Sequence, residues 1–364
     1  METEGTERKL MAKKRVVVAM SGGVDSSTAA ALLVERGYEV IGVMMRLWAE
    51  EGPGANRCCS EEALEGARRV AQILGIPFHT VDYEREFKAH VVDYFIREYA
   101  HGRTPNPCLA CNRYIKFDLL LRHALSLGAD YLATGHYVRV RRTDGEYQLL
   151  KGVDPDKDQS YFLYMLGQKE LAHLLFPLGD YTKAQVRAMA RERGLPVAER
   201  PESQDLCFLA DGDYRRFLKE HAPEAVRPGP IVDTSGRVLG QHKGLPFYTV
   251  GQREGLGIAA PQALYVLRLD PDRNALVVGT ADELGRRELV AGEVNFVSGR
   301  APEGPLEVTA KIRRQGVEVP AILIPLGEDK VSFKFAWPLR DITPGQAVVF
   351  YQGEVVLGGG IIEN

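Results

Sequence analysis

The chain has 364 residues, of which 45% are hydrophobic and 26% charged, and its formal net charge is -3. This length exceeds what one hydrophobic core supports, so we expect two or three domains. The composition excludes a disordered or fibrous chain, and the small net charge excludes a global basic field. Nucleic acid would therefore have to bind through local patches.

The chain has five cysteines, an odd number that argues against the disulfide framework of a secreted protein and for reduced thiols. No apolar run approaches the ~20 residues of a membrane span, and the polar start has no apolar core of a signal peptide. We therefore expect a cytoplasmic, enzyme-like protein without a membrane partner.

The first third of the chain alternates short apolar runs with helical segments. Strands are predicted at residues 15–20, 38–48, 77–83 and 130–140. Helices are predicted at residues 26–36, 60–74, 87–100 and 114–127, with Ser60 and Gly75 capping the second. Strands separated by helices indicate an α/β fold with a doubly wound parallel sheet, which binds a nucleotide at the carboxyl ends of its strands.

The pattern changes twice further along the chain. Residues 158–219 read as mostly helical, with Thr182 and Gly194 bounding one helix. After Pro228, short alternating runs between turn sequences predict two small barrels, or an irregular β unit followed by a barrel. The predicted domains are residues 1–155 (nucleotide binding), 156–225 (central, mostly helical), 226–285 (small mixed β region) and 286–364 (C-terminal β-barrel).

A phosphate-binding loop is predicted between the first strand and the first helix. Its sequence is AMSGGVDSS, comprising Ala19, Met20, Ser21, Gly22, Gly23, Val24, Asp25, Ser26 and Ser27. Glycines and a helix N-terminus form an anion site, but neither the Walker lysine nor a dinucleotide fingerprint is present. The carboxylate of Asp25 would repel a phosphate unless a cation intervenes, so we expect Mg²⁺.

The stretch TPNPCLACN places Cys108 and Cys111 in a C-x-x-C spacing. From the residues alone, the pair is half of a zinc site, a redox couple, a cluster ligand set or a nucleophile with a neighbour. A structural zinc site normally needs a second close pair of N or S ligands, and the sequence has none in that spacing. Cys58 and Cys59, adjacent in sequence, are predicted to be packing or surface thiols.

The loop SGGVDSS resembles that of the ATP pyrophosphatases, which cleave ATP between its α and β phosphates. Further motifs follow in the order GRTPNPCLACNRYIKF, ATGHY, KDQSYFLYML, ESQDLCFL and TVGQREGLG. Together they resemble the tRNA-specific 2-thiouridylases over residues 13–361. The resemblance implies adenylation of the C2 oxygen of wobble uridine 34 with ATP, then its replacement by sulfur from a cysteine persulfide. It also implies tRNA and an upstream persulfide donor, a cysteine desulfurase or sulfur-relay protein, as partners.

The resemblance assigns roles to two cysteines and leaves that of a third open. Cys207, in SQDLCFL, matches the persulfide-bearing cysteine, and Cys111 matches the nucleophile that frees the sulfur and then forms a transient disulfide with Cys207. Cys108 departs from the pattern, which commonly has aspartate there, and a thiol supplies acid or base chemistry only weakly. Two alternatives stay open: a persulfide relay, or a [4Fe-4S] cluster held by Cys108, Cys111 and Cys207.

The resemblance also implies ligand contacts. Met45 would pack on adenine, and Gly135 would allow a close backbone approach to the nucleotide. The implied tRNA contacts are Asn106, Pro107, Cys108, His136, Lys157, Asp158, Gln159, Arg313, Arg314 and Gln346. We expect the wobble base to flip out of its stack, and residues 102–112 to reorder when tRNA binds.

Two other functions compete with this interpretation. An amidating synthetase would share the ATP loop but would have no use for Cys111 and Cys207. A metal-stabilised tRNA-binding protein would consume no ATP and would lose its fold on chelation.

Overall fold

The computed structural model describes residues 13–50, 60–201, 206–327 and 329–364. The predictions for Cys58 and Cys59 fall outside these ranges. In the described ranges, no helix combines the length and the apolar character that crossing a bilayer requires.

Seven strands belong to the first half of the chain. They are β1 (Arg15–Ala19), β2 (Glu39–Arg46), β3 (Phe78–Asp82), β4 (Tyr131–Ala133), β5 (Val138–Thr143), β6 (Glu146–Lys151) and β7 (Leu174–Leu175). Five of them form a parallel sheet in the order β3-β2-β1-β4-β7. The predicted parallel α/β architecture is therefore confirmed.

The helices of the described residues are mostly short. They are α1 (Val24–Glu35), α2 (Glu61–Leu74), α3 (Glu84–Phe87), α4 (Asp93–Ala100), α5 (Pro107–Ala110), α6 (Leu121–Ser126), α7 (Gln168–Leu171), α8 (Lys183–Glu192), α9 (Tyr214–His221) and α10 (Ala281–Leu284). Two π-helical segments, Lys88–Val92 and Cys111–Leu120, join α3 to α4 and α5 to α6. Three 3₁₀ turns lie at Ser160–Phe162, Pro223–Ala225 and Leu245–Phe247.

The prediction of one strand across residues 130–140 is wrong. Strand β4 ends at Ala133, and β5 begins at Val138 in a different sheet. A Cβ atom on Gly135 would lie 2.8 Å from the backbone nitrogen of Ser26. The chain thus turns against the phosphate loop at this point instead of extending.

The prediction of a mostly helical segment at residues 158–219 is also wrong in part. Its first apolar residues form only a 3₁₀ turn, and β7 joins the edge of the parallel sheet next to β4. Tyr161, Leu163 and Tyr164 are all fully buried, because the segment is covered from several sides. Thr182 and Gly194 do bound α8 as predicted, and Gly194 has a φ of 61°.

The second half of the chain is built from β-structure. Strands β8 (Gly229–Val232), β9 (Val238–His242), β10 (Tyr265–Asp270) and β11 (Ala275–Gly279) form a sheet in the order β10-β11-β8-β9. A six-stranded barrel follows, made of β12 (Arg286–Phe296), β13 (Leu306–Lys311), β14 (Val319–Pro325), β15 (Val331–Leu339), β16 (Ala347–Gln352) and β17 (Val355–Ile362). Pairing of β12 with β17 closes the barrel. An irregular β unit followed by a barrel, one of the two predicted alternatives, is thus present.

Two apolar clusters join these regions. One contains Val17 of β1 together with Val349 of β16, so the parallel sheet and the barrel share a core. The hairpin of β5 and β6 extends the barrel, because β6 pairs with β17. The other cluster packs Ile115, in the π-helical segment that begins at Cys111, against Ile231 of β8. The C-x-x-C helix therefore lies where the nucleotide-binding and middle regions meet.

Candidate active site

The phosphate loop follows β1 and leads into α1. Gly22 adopts a φ of +69°, and Gly23 is the residue before α1, with no side chain capping the helix. The Ser26 hydroxyl accepts a hydrogen bond from the Ser21 backbone N–H at 3.1 Å and donates to the Gly23 carbonyl at 3.3 Å. These contacts fix the turn and leave the helix N-terminus open to an anion.

The remaining predicted loop residues lie at the end of β1 and at the start of α1. Ala19 ends β1, and the Met20 N–H donates to the Val43 carbonyl of β2 at 2.8 Å. Val24 and Ser27 are buried side chains at the start of α1, and the Ser27 hydroxyl has no hydrogen-bond partner among the described residues. Ser27 thus faces the protein interior, whereas Ser21 is exposed at the loop surface.

Two glycines allow other segments to approach the loop. A Cβ on Gly22 would collide with the Ala63 carbonyl in the first turn of α2. Gly135 presses against the backbone of Asp25 and Ser26 from the opposite side. Larger residues at either position would therefore displace the loop, and the predicted approach of Gly135 to the nucleotide stays a prediction.

Asp25 is held by two side chains that sequence reasoning missed. The Lys183 ammonium lies 2.7 and 2.8 Å from the two carboxylate oxygens, and the Tyr137 hydroxyl donates to Oδ1 at 2.7 Å. Lys183 occupies the first position of α8, where the helix dipole disfavours a cation. A lysine in that position is a weak sequence signal for a specific anionic partner.

Arg200 is a second missed cation at the loop. Its guanidinium donates to the Gly22 carbonyl at 2.9 Å, and Arg187 in turn donates to the Arg200 carbonyl at 3.3 Å. The two arginines tie the backbone before residues 202–205 to the phosphate loop. No local sequence motif predicts the contact between Arg200 and Gly22, because the two residues are far apart in the chain.

Met45 and His136 lie near the carboxyl ends of β2 and β4. Met45 is half-buried and packs against both large apolar clusters. His136 is buried beside Phe117, and its Nδ1 lies 2.7 Å from the Thr134 hydroxyl. Burial, assisted by the charge of Lys116, holds the pKa of His136 well below its usual range, so the imidazole is neutral.

The predicted loop of residues 102–112 is in fact helical from Pro107 onward. The Asn106 side chain accepts a hydrogen bond from the Cys108 N–H at 3.1 Å, and buried Pro107 occupies the first helical position. Cys108 is exposed and Cys111, one turn later, is buried. The same helix thus presents its two thiols to different environments.

Cys111 and Cys207 both border one large apolar cluster that several segments of the chain build. Cys111 is 8% exposed and belongs to the cluster that includes Phe208, and half-buried Cys207 packs against it. Leu47, just beyond the carboxyl end of β2, belongs to the same cluster. This cluster therefore extends from the residue that follows β2 to both cysteines.

An ion-pair network borders the Cys207 segment. Arg216 of α9 donates to both carboxylate oxygens of Glu50 at 2.9 and 2.6 Å, and also contacts Asp211 and Glu220. Glu50 accepts a further bond from the Ala210 N–H at 2.9 Å, and its own N–H donates to the Phe208 carbonyl. Burial raises the pKa of Glu50, but the bonds from Arg216 and Ala210 outweigh it and leave that pKa below its usual value.

The barrel and the middle region hold the chain just before the cysteines. The Thr104 N–H donates to the Pro344 carbonyl at 2.9 Å, and the Gln346 amide donates to the Thr104 carbonyl at 2.8 Å. The Thr104 hydroxyl also donates to that of Thr249 at 3.3 Å. Gln346, expected to contact tRNA, is thus engaged with the C-x-x-C segment.

The other predicted tRNA contacts divide into inward and outward side chains. Asp158 accepts hydrogen bonds from the Gly152 and Ser160 backbones, and the Gln159 amide oxygen accepts one from the Tyr137 N–H. Lys157, beside them, is half-buried. These contacts indicate a structural task for Asp158 and Gln159.

The two barrel arginines differ in the same way. Arg313 donates to the Thr343 hydroxyl at 2.9 Å and to the Val250 carbonyl at 3.1 Å. Arg314 is exposed, with its guanidinium 5.5 Å from the centre of the Phe162 ring. Arg314 is therefore the better placed of the two to meet a polyanion.

Three family models match consecutive parts of the chain. They are the tRNA methyl transferase HUP domain at residues 14–211, the tRNA methyl transferase PRC-barrel domain at 215–280 and the aminomethyltransferase beta-barrel domain at 286–362. These ranges follow the parallel sheet, the middle sheet and the closed barrel.

Curated relatives match over nearly the full length. The tRNA-specific 2-thiouridylase MnmA of Roseiflexus sp. (strain RS-1) is 54% identical over 96% of this chain and 99% of its own. That of Moorella thermoacetica is 54% identical over the same shares. Among solved structures, a 4-thiouridine synthetase–RNA complex with bound ATP is 18% identical, with a TM-score of 0.35 over 58% of this chain and 51% of that one.

Proposed function

Because the chain belongs to the tRNA-specific 2-thiouridylase family, we propose that it replaces the C2 oxygen of tRNA uridine 34 with sulfur, using ATP and a cysteine persulfide. The observation that supports this proposal is an open anion-binding loop in the same domain as an apolar cluster that both Cys111 and Cys207 border. An amidating synthetase would need the loop but not the thiols.

In the first step, the C2 oxygen of uridine attacks the α-phosphorus of ATP, and the bond to the pyrophosphate oxygen breaks. The open N-terminus of α1 and the Ser21 hydroxyl would bind the phosphates. Met45 would border the adenine. Mg²⁺ would accompany the ATP phosphates, with Asp25 as the carboxylate of the loop, and would neutralise their charge. The product is a uridine adenylate whose C2–O bond is activated for displacement.

In the second step, an upstream donor loads Cys207 with a persulfide. The Cys111 thiolate attacks the inner sulfur, the persulfide bond breaks, and a Cys111–Cys207 disulfide forms as hydrosulfide leaves. The hydrosulfide attacks C2, and AMP departs with the electrons of the C2–O bond. Cellular thiols then reduce the disulfide. The shared apolar cluster of the two cysteines supports this exchange because it shields the reactive sulfur from water.

A [4Fe-4S] cluster on Cys108, Cys111 and Cys207 is the alternative route for sulfur. The three residues supply the right ligand type and number for a cluster with one open iron. The exposure of Cys108, against the burial of Cys111, favours the two-cysteine relay. In the relay, Cys108 would instead be available, with Asn106, to contact the flipped base.

Reconstitution with tRNA, ATP and a persulfide donor tests the function. We expect tRNA-dependent release of AMP and formation of 2-thiouridine at position 34, detected by nucleoside mass spectrometry. AMP release without thiouridine, with ammonia or an amino acid incorporated instead, would contradict the proposal.

Iron and labile-sulfide analysis of anaerobically purified protein separates the two sulfur routes. The relay predicts full thiolation by iron-free protein. Thiolation that requires about four irons per chain would establish the cluster.

A further inference from the structure

The phosphate loop lacks the lysine that many phosphate-binding loops carry, but the fold supplies one from α8. Lys183 reaches across to Asp25, and its side chain is only 12% exposed. Its ammonium also lies 5.7 Å from the centre of the Tyr137 ring. Three separate segments thus converge to hold one cation at the first turn of α1.

The base of this lysine is rigidly fixed. Thr182 and Gln185 form a capping box at the start of α8, and the Lys183 N–H donates to Asp154 at 2.8 Å. Helix α8 packs on α1 through Val186 and Leu32. The backbone of Lys183 is therefore held in one position, while its flexible four-carbon side chain allows the ammonium to shift by a few ångströms.

The charge arrangement explains why a lysine is needed here. An unpaired carboxylate beside the α1 N-terminus would repel a polyphosphate, because like charges a few ångströms apart interact strongly near a protein surface. Lys183 offsets the charge of Asp25 in this structure. The sequence had predicted that Mg²⁺ alone would do so. An ammonium already beside the open helix N-terminus is also within reach of a phosphate bound there.

We propose that Lys183 is the phosphate-contacting cation of this site: it holds the β and γ phosphates of ATP and stabilises the departing pyrophosphate. Lys183 keeps its proton throughout, while the α-phosphorus exchanges its pyrophosphate oxygen for the uridine oxygen. The bond that breaks leaves negative charge on the pyrophosphate, and a fixed ammonium lowers the energy of that charge. This inference rests on the proposed use of ATP and adds a residue to its binding site.

The binding of ATP and of AMP to variants, measured by isothermal titration calorimetry, tests the proposal. We expect Lys183→Met to weaken ATP binding roughly 10- to 100-fold, as expected for losing one charged hydrogen bond, and AMP binding by less than about threefold. Lys183→Arg should recover part of the ATP affinity. Lys330→Met, which removes a lysine paired with Glu363 at 3.0 Å in the barrel, is the matched control and should bind ATP normally.

The double variant Asp25→Asn/Lys183→Met separates the two roles of the lysine. If Lys183 only neutralises Asp25, removing both charges restores wild-type ATP affinity, and the proposal is overturned. If Lys183 contacts phosphate, the double variant stays weak. Equal losses for ATP and AMP would also overturn it. Should Lys183→Met fail to fold, Lys183→Arg and the double variant, which leaves no unpaired charge, carry the test.

The failure of the proposed function would look different. A wild-type protein that binds ATP but releases no pyrophosphate with tRNA would contradict the function and leave the lysine contact intact. If the wild-type protein turns over ATP with tRNA and Lys183→Met binds ATP as tightly as the wild type, only the lysine contact would be contradicted.

Discussion

The phosphate loop, here called the nucleotide end, and the region around Cys111 and Cys207, the proposed sulfur end, are held by different forces. The phosphate loop is nine consecutive residues fixed by hydrogen bonds between the Ser26 hydroxyl and the loop backbone, and by glycines that admit close neighbours. At the proposed sulfur end, Cys111 and Cys207 come from distant segments and border one apolar cluster, with the Glu50–Arg216 pair near the Cys207 segment. The phosphate loop is thus built from neighbouring residues, whereas the proposed sulfur end is assembled from segments far apart in the chain.

The largest expected effect separates the two ends completely. Cys207→Ser should lower 2-thiouridine formation by roughly a thousandfold or more, since it removes the proposed sulfur carrier. ATP affinity should change less than about twofold, because the hydrogen bonds that fix the phosphate loop do not involve Cys207. Nucleoside mass spectrometry and calorimetry measure the two quantities. A parallel loss of ATP binding would show that the ends are one structural unit.

Cys108→Ser is the matched control at the exposed thiol. Under the relay it keeps most of the thiolation activity and forms the Cys111–Cys207 disulfide as the wild type does. A loss as large as that of Cys207→Ser would favour the cluster.

A methyl group at Gly22 should break the nucleotide end. Gly22→Ala combines a left-handed backbone with a collision against the Ala63 carbonyl, and we expect about 3 kcal/mol lower unfolding free energy. ATP affinity should fall by roughly tenfold or more, since the loop must shift. Urea unfolding and calorimetry check both.

Gly75→Ala provides the control for backbone strain. Gly75 has a φ of 64° and open space around its Cα, so only the left-handed penalty of about 1 kcal/mol applies. Equal destabilisation by the two substitutions would mean that the contact with α2 is unimportant.

Weakening the ionic border of the sulfur end should have an intermediate effect. Glu50→Gln keeps the shape but removes the charge that Arg216 meets at 2.6 Å, and Glu50 is only 9% exposed. We expect thiolation to fall about tenfold, corresponding to a charged hydrogen bond, with unchanged KM for ATP. Glu220 is a more exposed partner of the same arginine, so Glu220→Gln should lower thiolation much less. A reversed order would contradict this account.

The smallest effect is expected where the barrel holds the chain ahead of the cysteines. Gln346→Ala removes one neutral hydrogen bond to the Thr104 carbonyl, so the KM for tRNA should rise about threefold with little change in kcat. Gln315→Ala, an exposed glutamine of the same barrel, is the control. A change in KM for ATP would show that this contact serves the nucleotide end instead.

Local signals predicted the nucleotide end well. Helix α2 runs between Ser60 and Gly75 as predicted, because a side-chain cap and a left-handed glycine act within a few residues. The strand–loop–helix unit around Gly22 follows from the same short-range rules.

Long-range contacts were beyond the reach of such signals. Lys183 meets Asp25, and Arg200 meets the Gly22 carbonyl, only because the chain folds back over the loop. Helix α5 begins at Pro107, earlier than predicted, since apolar periodicity becomes visible only further on. The break between β4 and β5 likewise follows from the approach of Gly135 to the loop, which no local pattern encodes.

The pairing of β6 with β17 has a consequence for how the chain is made. The two strands are about 200 residues apart, so β6 leaves the ribosome long before its neighbour exists. At about 5–20 residues per second, the hairpin waits roughly 10 to 40 s with one edge unpaired. During that interval an exposed strand edge can recruit a foreign strand. The first half of the protein can therefore finish folding only after the last barrel strand, β17, has been translated.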